Sequence, residues 1–224
     1  MPIHLDLAER SKDAATVALL GALAKEAGDA RAMVLLGKAA YARGLLFDSI
    51  AFPLIGIPKY SGVGPAVDPA VVYAIARQES QFDQKVVSSA KAMGLMQVIA
   101  PTAKMIANKI GLAFNLHLLR TDPVYNVQIG AAELGDLMKD YRGSLILTFV
   151  GYNAGRGRAR EWMASYGDPR DAKIDPIDWI ERIPIAETRF YIQRVMENLQ
   201  VYRVLLGGGD RLMIEADLAR GRVN

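Results

Sequence analysis

The sequence predicts an all-α protein, and three observations carry that expectation. An aspartate followed by proline recurs at Asp68-Pro69, Asp122-Pro123 and Asp175-Pro176, and each pair joins a good N-cap to a residue whose fixed φ suits the first helical turn. Alternating β-branched stretches are scarce. No Asn-Gly pair stands between apolar runs, so the strongest hairpin signal is missing. Residues 67–206 therefore read as one helical domain.

Taken in order, residues from about 10 to 27 form an amphipathic helix carrying Ala15, Val17, Ala18, Leu19, Leu20, Leu23 and Ala24, with Gly28 as its stop. Asp29 caps a second helix through Ala32, Val34, Leu35, Ala39 and Ala40, ending near Gly44. The two resemble one unit of a helical-repeat array, too few for a free-standing solenoid. Residues 52–66 hold Pro53, Gly56, Pro58, Gly62, Gly64 and Pro65, the best domain boundary in the chain. The expected division is a helical hairpin segment over 1–60, a main domain over 61–206, and a Gly-rich linker and tail over 207–224.

Asp68 opens a helix to Ser80, and residues 81–97 read as a loop with at most a short β excursion. Helices follow from Pro101 to Ile110, from Asp122-Pro123 to about Tyr141, and from Leu145 to Asn153 behind a Ser144 cap. The Leu145 helix is apolar all round and is expected to be buried. Gly155 and Gly157 break the chain before a helix carrying Glu161, Trp162 and Met163. Asp175-Pro176 starts another helix. The last long one, about 186–206, is closed by Gly207-Gly208-Gly209, and the tail could hold a short helix through Leu212, Ile214 and Leu218.

The chemistry centres on Glu79. Val72, Ile75, Ala76 and Glu79 fall at i, i+3, i+4 and i+7, so an apolar helix face ends in a carboxyl group. Desolvation raises a carboxyl pKa, which is what an acid needs to hold its proton near neutrality. Taken alone, Glu79 reads first as a surface glutamate at a fraying helix end, since most glutamates are solvated.

Composition removes several function classes. With 51% hydrophobic and 23% charged residues over 224 positions, the chain is of the soluble globular type. A net charge of +3, with Arg156, Arg158 and Arg160 as its densest basic group, is not the signature of a nucleic-acid binder. Cysteine is absent and the two histidines are His4 and His117, so no metal or other cofactor is expected. No stretch approaches the roughly 18 apolar residues of a transmembrane helix. Met1-Pro2-Ile3-His4-Leu5-Asp6 does not read as a signal peptide. The protein stays inside, or the chain is a mature form or fragment of something exported.

Four blocks then occur together: Ile75-Ala76-Arg77-Gln78-Glu79-Ser80, Gly94-Leu95-Met96-Gln97, Tyr152-Asn153-Ala154-Gly155, and Ile183-Pro184-Ile185-Ala186-Glu187-Thr188-Arg189-Phe190-Tyr191. In this order and spacing they resemble the soluble lytic transglycosylase family of bacterial cell-wall enzymes. The resemblance implies a lysozyme-like, mostly helical catalytic domain, often preceded by helical repeats. It implies cleavage of the β-1,4 bond between N-acetylmuramic acid and N-acetylglucosamine in peptidoglycan without water, leaving a 1,6-anhydro ring. It implies glycan strands as partner and a periplasmic or cell-envelope location. Two departures stand out: many relatives carry glycine where this chain has Lys91, and Pro101 comes one residue later than in many members. Both lie beside the expected cleft, where they bear on sugar contacts rather than on the acid.

By this resemblance Glu79 is the catalytic acid and then base. Ser88, Met96, Gln97, Tyr152, Glu187 and Tyr191 are the expected substrate-binding residues. Gln97 offers an amide that donates and accepts. The Tyr152 hydroxyl could bond a sugar N-acetyl group or steady Glu79, with a structural tyrosine as the rival. Ser88 could hydrogen-bond Glu79. Glu187, near the start of the last helix, is expected ionised in the cleft or is a structural charge at the helix N-terminus. Met96 and Leu95 could be core, the favoured reading for Leu95. Trp162 and Trp179 read as core or wall rather than sugar platforms. Two alternatives remain at this level: a goose-type lysozyme-like hydrolase of the same fold, which would need a carboxylate to activate water, and a non-catalytic wall-binding helical module.

Overall fold

A computed structural model describes residues 13–222. The start of the first expected helix at 10–12, the reading of residues 1–6, and His4 lie outside the described residues. Twelve helices and no strand occur among the described residues. The first three are α1 (Ala14–Glu26), α2 (Ala30–Tyr41) and the short α3 (Asp48–Ala51). Then come α4 (Pro69–Glu79), α5 (Ala100–Ile110), α6 (Leu116–Thr121), α7 (Pro123–Asp140) and α8 (Leu145–Asn153). The chain closes with α9 (Gly155–Tyr166), α10 (Pro176–Glu181), α11 (Ala186–Leu205) and α12 (Ile214–Leu218).

The Asp-Pro pairs start helices as the sequence predicts. Asp68, Asp122 and Asp175 each accept hydrogen bonds from free N–H groups of the first turn, with proline in that turn. Asp13, Asp29 and Ser144 cap α1, α2 and α8 in the same way, and each such cap is worth about 1 kcal/mol. The expected β excursion in 81–97 is two isolated bridges, Val87 with Met93 and Met93 with Val98.

The core sits around α8, whose residues Leu145 to Gly151 are all buried. Helices α7, α9 and α11 pack on it, and α11 also runs along α4. In α4 Val71, Val72, Ala74, Ile75 and Ala76 are buried, a wider face than the single expected stripe. Burying each Val or Ile contributes roughly 1.5–3 kcal/mol, so the helix that ends in Glu79 is firmly held. Trp162 and Trp179 are core residues, and the indole N–H of Trp179 donates to the Gly167 carbonyl at 2.8 Å.

The α1–α2 hairpin has a small apolar cluster of its own, built from Val17, Met33, Leu36, Ala40 and Ile50. Ala30 and Val34 of α2 join the main core instead. The connection to α4 is pinned at several points. Arg77 donates from Nε to the Ala51 carbonyl and from its terminal nitrogen to Asn198 Oδ1, with its guanidinium 4.0 Å from the Phe52 ring centre. The Tyr73 hydroxyl donates to the Leu54 carbonyl at 2.8 Å.

Two features differ from expectation. The break before α9 is made at Ala154 and Gly155 alone; the helix already begins at Gly155, and Gly157 lies inside it. The reversal is made in one step, with Gly155 at φ +87°, where a side chain would be strained. Helices α3 and α6 were not anticipated, because four and six residues are too short to show a helical period.

Candidate active site

Glu79 is the last residue of α4 and lines a cleft of about 610 Å³, a size typical of small-molecule sites. Glu133, Gln97, Tyr152, Arg156 and Glu187 line the same cleft. The apolar packing that holds α4 also strips water from its terminal carboxyl. Burial raises the Glu79 pKa to about 7; a hydrogen bond from the Tyr191 hydroxyl to Oε1, at 2.7 Å, pulls it down, and the charge of Glu187 pushes it up. A carboxyl raised toward neutrality suits a group that must first give and then take a proton.

The loop after α4 is fastened to it by Ser80, whose hydroxyl bonds the carbonyls of Leu95 at 2.8 Å and Ala76 at 3.0 Å. From α7, Asn126 reaches into the same loop: its amide nitrogen donates to the Met93 and Leu119 carbonyls, and its oxygen accepts from the Met96 N–H. Gly94 lies against that side chain. A Cβ there would come 2.5 Å from Asn126 Nδ2, and φ is +72°, so both space and backbone require glycine. Ser80 and Asn126 position the loop; Ser80 stood inside a quoted block without an assigned role, and Asn126 gave no sequence signal.

The expected binding residues divide. Gln97 lines the cleft, with its amide nitrogen donating to the Gly94 and Val86 carbonyls, so its amide oxygen is the acceptor left for a ligand. Ser88 also lines it, but its hydroxyl accepts from the Ala92 N–H at 3.0 Å, and no bond to Glu79 forms. Tyr152 lines the cleft, and its hydroxyl donates to the Met96 carbonyl at 2.7 Å rather than to Glu79. Glu187 is exposed at the cleft edge, in the first turn of α11. Beside it Thr188 donates to Asn153 Oδ1 at 2.7 Å, tying α11 to the end of α8.

Met96 and Tyr191 are placed differently from expectation. The Met96 side chain is fully buried against Gly130 of α7 and does not reach the cleft. Its backbone is what matters, as acceptor for Tyr152. Tyr191 is buried, is not among the residues lining the cleft, and its hydroxyl donates to Glu79.

Sequence reasoning missed Glu133, in the middle of α7. It is 7% exposed and lines the cleft. Burial lifts its pKa to about 8; Arg156 opposes the rise, while Glu79 and Asp136 add to it. Arg156 gives its own hydrogen bonds to Asp136 at 2.6 Å and Asp140 at 3.1 Å, and among the described residues the Glu133 carboxyl has no hydrogen-bond partner. The available signal was the run of small residues around it, Gly130, Ala131, Ala132 and Gly135, which marks a helix approached closely by its neighbours.

Known proteins resemble this chain in sequence and fold. The soluble lytic murein transglycosylase of Escherichia coli K12 is 31% identical over 158 residues, covering 70% of this chain and 24% of that protein. A putative soluble lytic murein transglycosylase of Haemophilus influenzae is 35% identical over 132 residues, 59% of this chain and 22% of the relative. The chain thus spans about a quarter of the length of these relatives. Among solved structures, the 70 kDa soluble lytic transglycosylase of Escherichia coli superposes with a TM-score of 0.78 at 28% identity, over 96% of this chain and 34% of that one. An inactive variant of the lytic transglycosylase Slt of Pseudomonas aeruginosa, with a glutamate replaced by glutamine, gives 0.69 at 27% identity over 92% of this chain and 33% of that one. The family model for the transglycosylase SLT domain matches residues 58–174, more than half of the sequence and all of the cleft apart from Glu187, and on that match the chain belongs to the transglycosylase SLT family.

Proposed function

We propose that the chain is a peptidoglycan lytic transglycosylase that cleaves the β-1,4 bond from N-acetylmuramic acid to N-acetylglucosamine, with Glu79 as acid and then base. The observation that carries the reading is one carboxyl, desolvated to a pKa of about 7, lining a cleft and held by Tyr191. Protonated Glu79 gives its proton to the glycosidic oxygen as the C1–O bond breaks, and the bond pair leaves with the N-acetylglucosamine O4. The muramyl C6 oxygen then forms its bond to C1, and its proton goes to the Glu79 carboxylate. Glu79 is restored, and no water is consumed. Acid–base assistance of this kind contributes roughly 10²–10⁴-fold. The glutamate-to-glutamine variant of the Pseudomonas aeruginosa relative is inactive, which supports assigning the chemistry to one glutamate. The substrate puts the site of action in the periplasm or cell envelope; no helix among the described residues is long and apolar enough to cross a membrane.

Glu133 gives the hydrolase reading a specific footing, since it is a second carboxyl in the cleft. Burial favours the protonated form of Glu133 and so weakens it as a base for water, which favours the anhydro route. Mass spectrometry of fragments released from purified sacculi tests the choice. Anhydromuramic ends support the transglycosylase, reducing muramic ends support the hydrolase, and retention on sacculi without release supports a binding module.

A further inference from the structure

We infer that Glu133 is a substrate-binding residue that reads two neighbouring groups of a muramyl sugar, the acetamido N–H at C2 and the ether oxygen at C3. The inference rests on the glycan reading above. Its starting point is a carboxyl left open to the cleft: Glu133 lies in the cleft wall, 7% exposed, and forms no hydrogen bond among the described residues. Buried polar groups nearly always have a partner, and one left open in a cleft marks where a ligand supplies it.

The charged and titratable groups around it fix the chemistry. Glu79 comes from α4, Tyr152 from α8, Arg156 from α9, Asp136 from the next turn of α7, and Tyr191 and Glu187 from α11. Arg156 is held by Asp136 and Asp140, so no cation is bound to the Glu133 carboxyl. Burial and the neighbouring acids favour the neutral form. A neutral carboxyl offers one donor and one acceptor side by side. In a muramyl residue the amide N–H can only donate and the adjacent O3, an ether to the lactyl group, can only accept. A neutral acid meets both, whereas a carboxylate would set its second oxygen against the ether. N-acetylglucosamine carries a hydroxyl at C3, which can donate to a carboxylate as readily as it accepts from an acid. Protonation of Glu133 is therefore what admits the muramyl sugar, while N-acetylglucosamine is met by either form.

The test is calorimetric binding to Glu79→Gln protein, which keeps the shape of the cleft and does not turn substrate over. The first probe is a tetrasaccharide of alternating N-acetylglucosamine and N-acetylmuramic acid, its lactyl carboxyls capped as methylamides so that they carry no charge. The second is the N-acetylglucosamine tetramer. Binding of the muramyl probe should weaken about tenfold between pH 6 and pH 9, the effect expected when one buried hydrogen bond is lost and its partner left unpaired. The glucosamine tetramer should change little. Adding Glu133→Gln, whose amide donates and accepts at every pH, should flatten the pH response; adding Glu133→Ala should weaken muramyl binding at both pH values. An equal pH response with and without Glu133→Gln, or for the two probes, overturns the inference alone. Failure of Glu79→Gln protein to bind either probe at pH 6 overturns the glycan reading and this assignment with it.

Discussion

Two places in the molecule bury carboxyl groups to a similar degree and treat them in opposite ways. Asp217, in α12, is 3% exposed. It accepts from Gln200 Nε2 at 2.7 Å and from the Arg203 guanidinium, with Arg220 at 4.0 Å. Arg203 also reaches Asp68, the cap of α4, at 3.4 Å, and Gln200 accepts from the Met213 N–H. This clamp fastens the tail to α11 and to the start of α4, and it is complete. In the cleft, Glu133 has no hydrogen-bond partner among the described residues and Glu79 has one. The backbone follows the same division: of the five non-glycine residues with positive φ among the described residues, Gln81, Phe82, Lys91 and Gln97 lie in the loop beside the cleft. The carboxyl of the clamp is surrounded by donors, while those of the cleft are left open.

The largest test of this contrast is Glu79→Gln, expected to lower the release of glycan fragments by roughly 10²–10⁴-fold. The same change should stabilise the fold at alkaline pH. The Glu79 pKa is raised in the folded state from 4.5 to about 7. Its contribution to stability is therefore fully present below the unfolded value and is lost as pH rises through the folded one. Glutamine has no such loss. Thermal unfolding should show the variant more stable at pH 8, on the order of 1–3 kcal/mol, with the gap closing at pH 4. A variant less stable than the parent at pH 8 would place Glu79 with Asp217, as a structural acid.

Asp217→Ala should do the reverse. It leaves Arg203, 17% exposed, without its nearest carboxylate, a kind of change that costs about 3–5 kcal/mol in fully buried pairs; with Arg203 partly open and still near Asp68, about 3 kcal/mol is expected in denaturant unfolding. Turnover per folded molecule should hold. A lost rate at full stability would show that the clamp reaches the cleft through α4.

Tyr191→Phe separates positioning from packing. The ring stays and the donor to Glu79 goes. Because that hydrogen bond lowers the Glu79 pKa, its removal should raise it, so the alkaline fall in activity moves to higher pH while kcat drops about tenfold, the cost of one hydrogen bond to a charged form. A drop in kcat with an unmoved pH profile would mean that Tyr191 only fills space.

What could be read from the sequence follows the same line. Helix starts were legible at Asp68, Asp122, Ser144 and Asp175 because a cap is a local event, made within three residues. Glu79 was legible because an apolar stripe leads up to it. Glu133 was not: Asp136, Lys139 and Asp140 follow it, so the stretch reads as a polar helix face, and its burial arises only once other helices pack on α7. The hydroxyls of Ser88 and Tyr152 find partners other than Glu79 for a similar reason. The Met96 carbonyl that Tyr152 bonds is presented by a loop whose shape depends on Asn126, thirty residues away, and on the left-handed backbone at Gly94 and Gln97. Residue type was visible in the sequence, but the direction of these groups was set by long-range contacts.

Lys91 offers the smallest and most local probe. It stands where many lytic transglycosylases resembling this chain have glycine, and its φ is +61°. For an L-residue that conformation costs roughly 1–2 kcal/mol. Lys91→Gly removes this strain but gives the unfolded chain more freedom, which opposes the gain, so a net stabilisation below about 1 kcal/mol is expected in denaturant unfolding. The Ser88 hydroxyl accepts from the Ala92 N–H across this turn, and the Lys91 N–H donates to the Ser88 carbonyl, so the turn is already closed by bonds that glycine would keep. Glycan binding should therefore be unaltered. If Lys91→Gly destabilises the protein, the positive φ is held by contacts of the lysine side chain, and the strain in the cleft loop is smaller than its backbone angles imply.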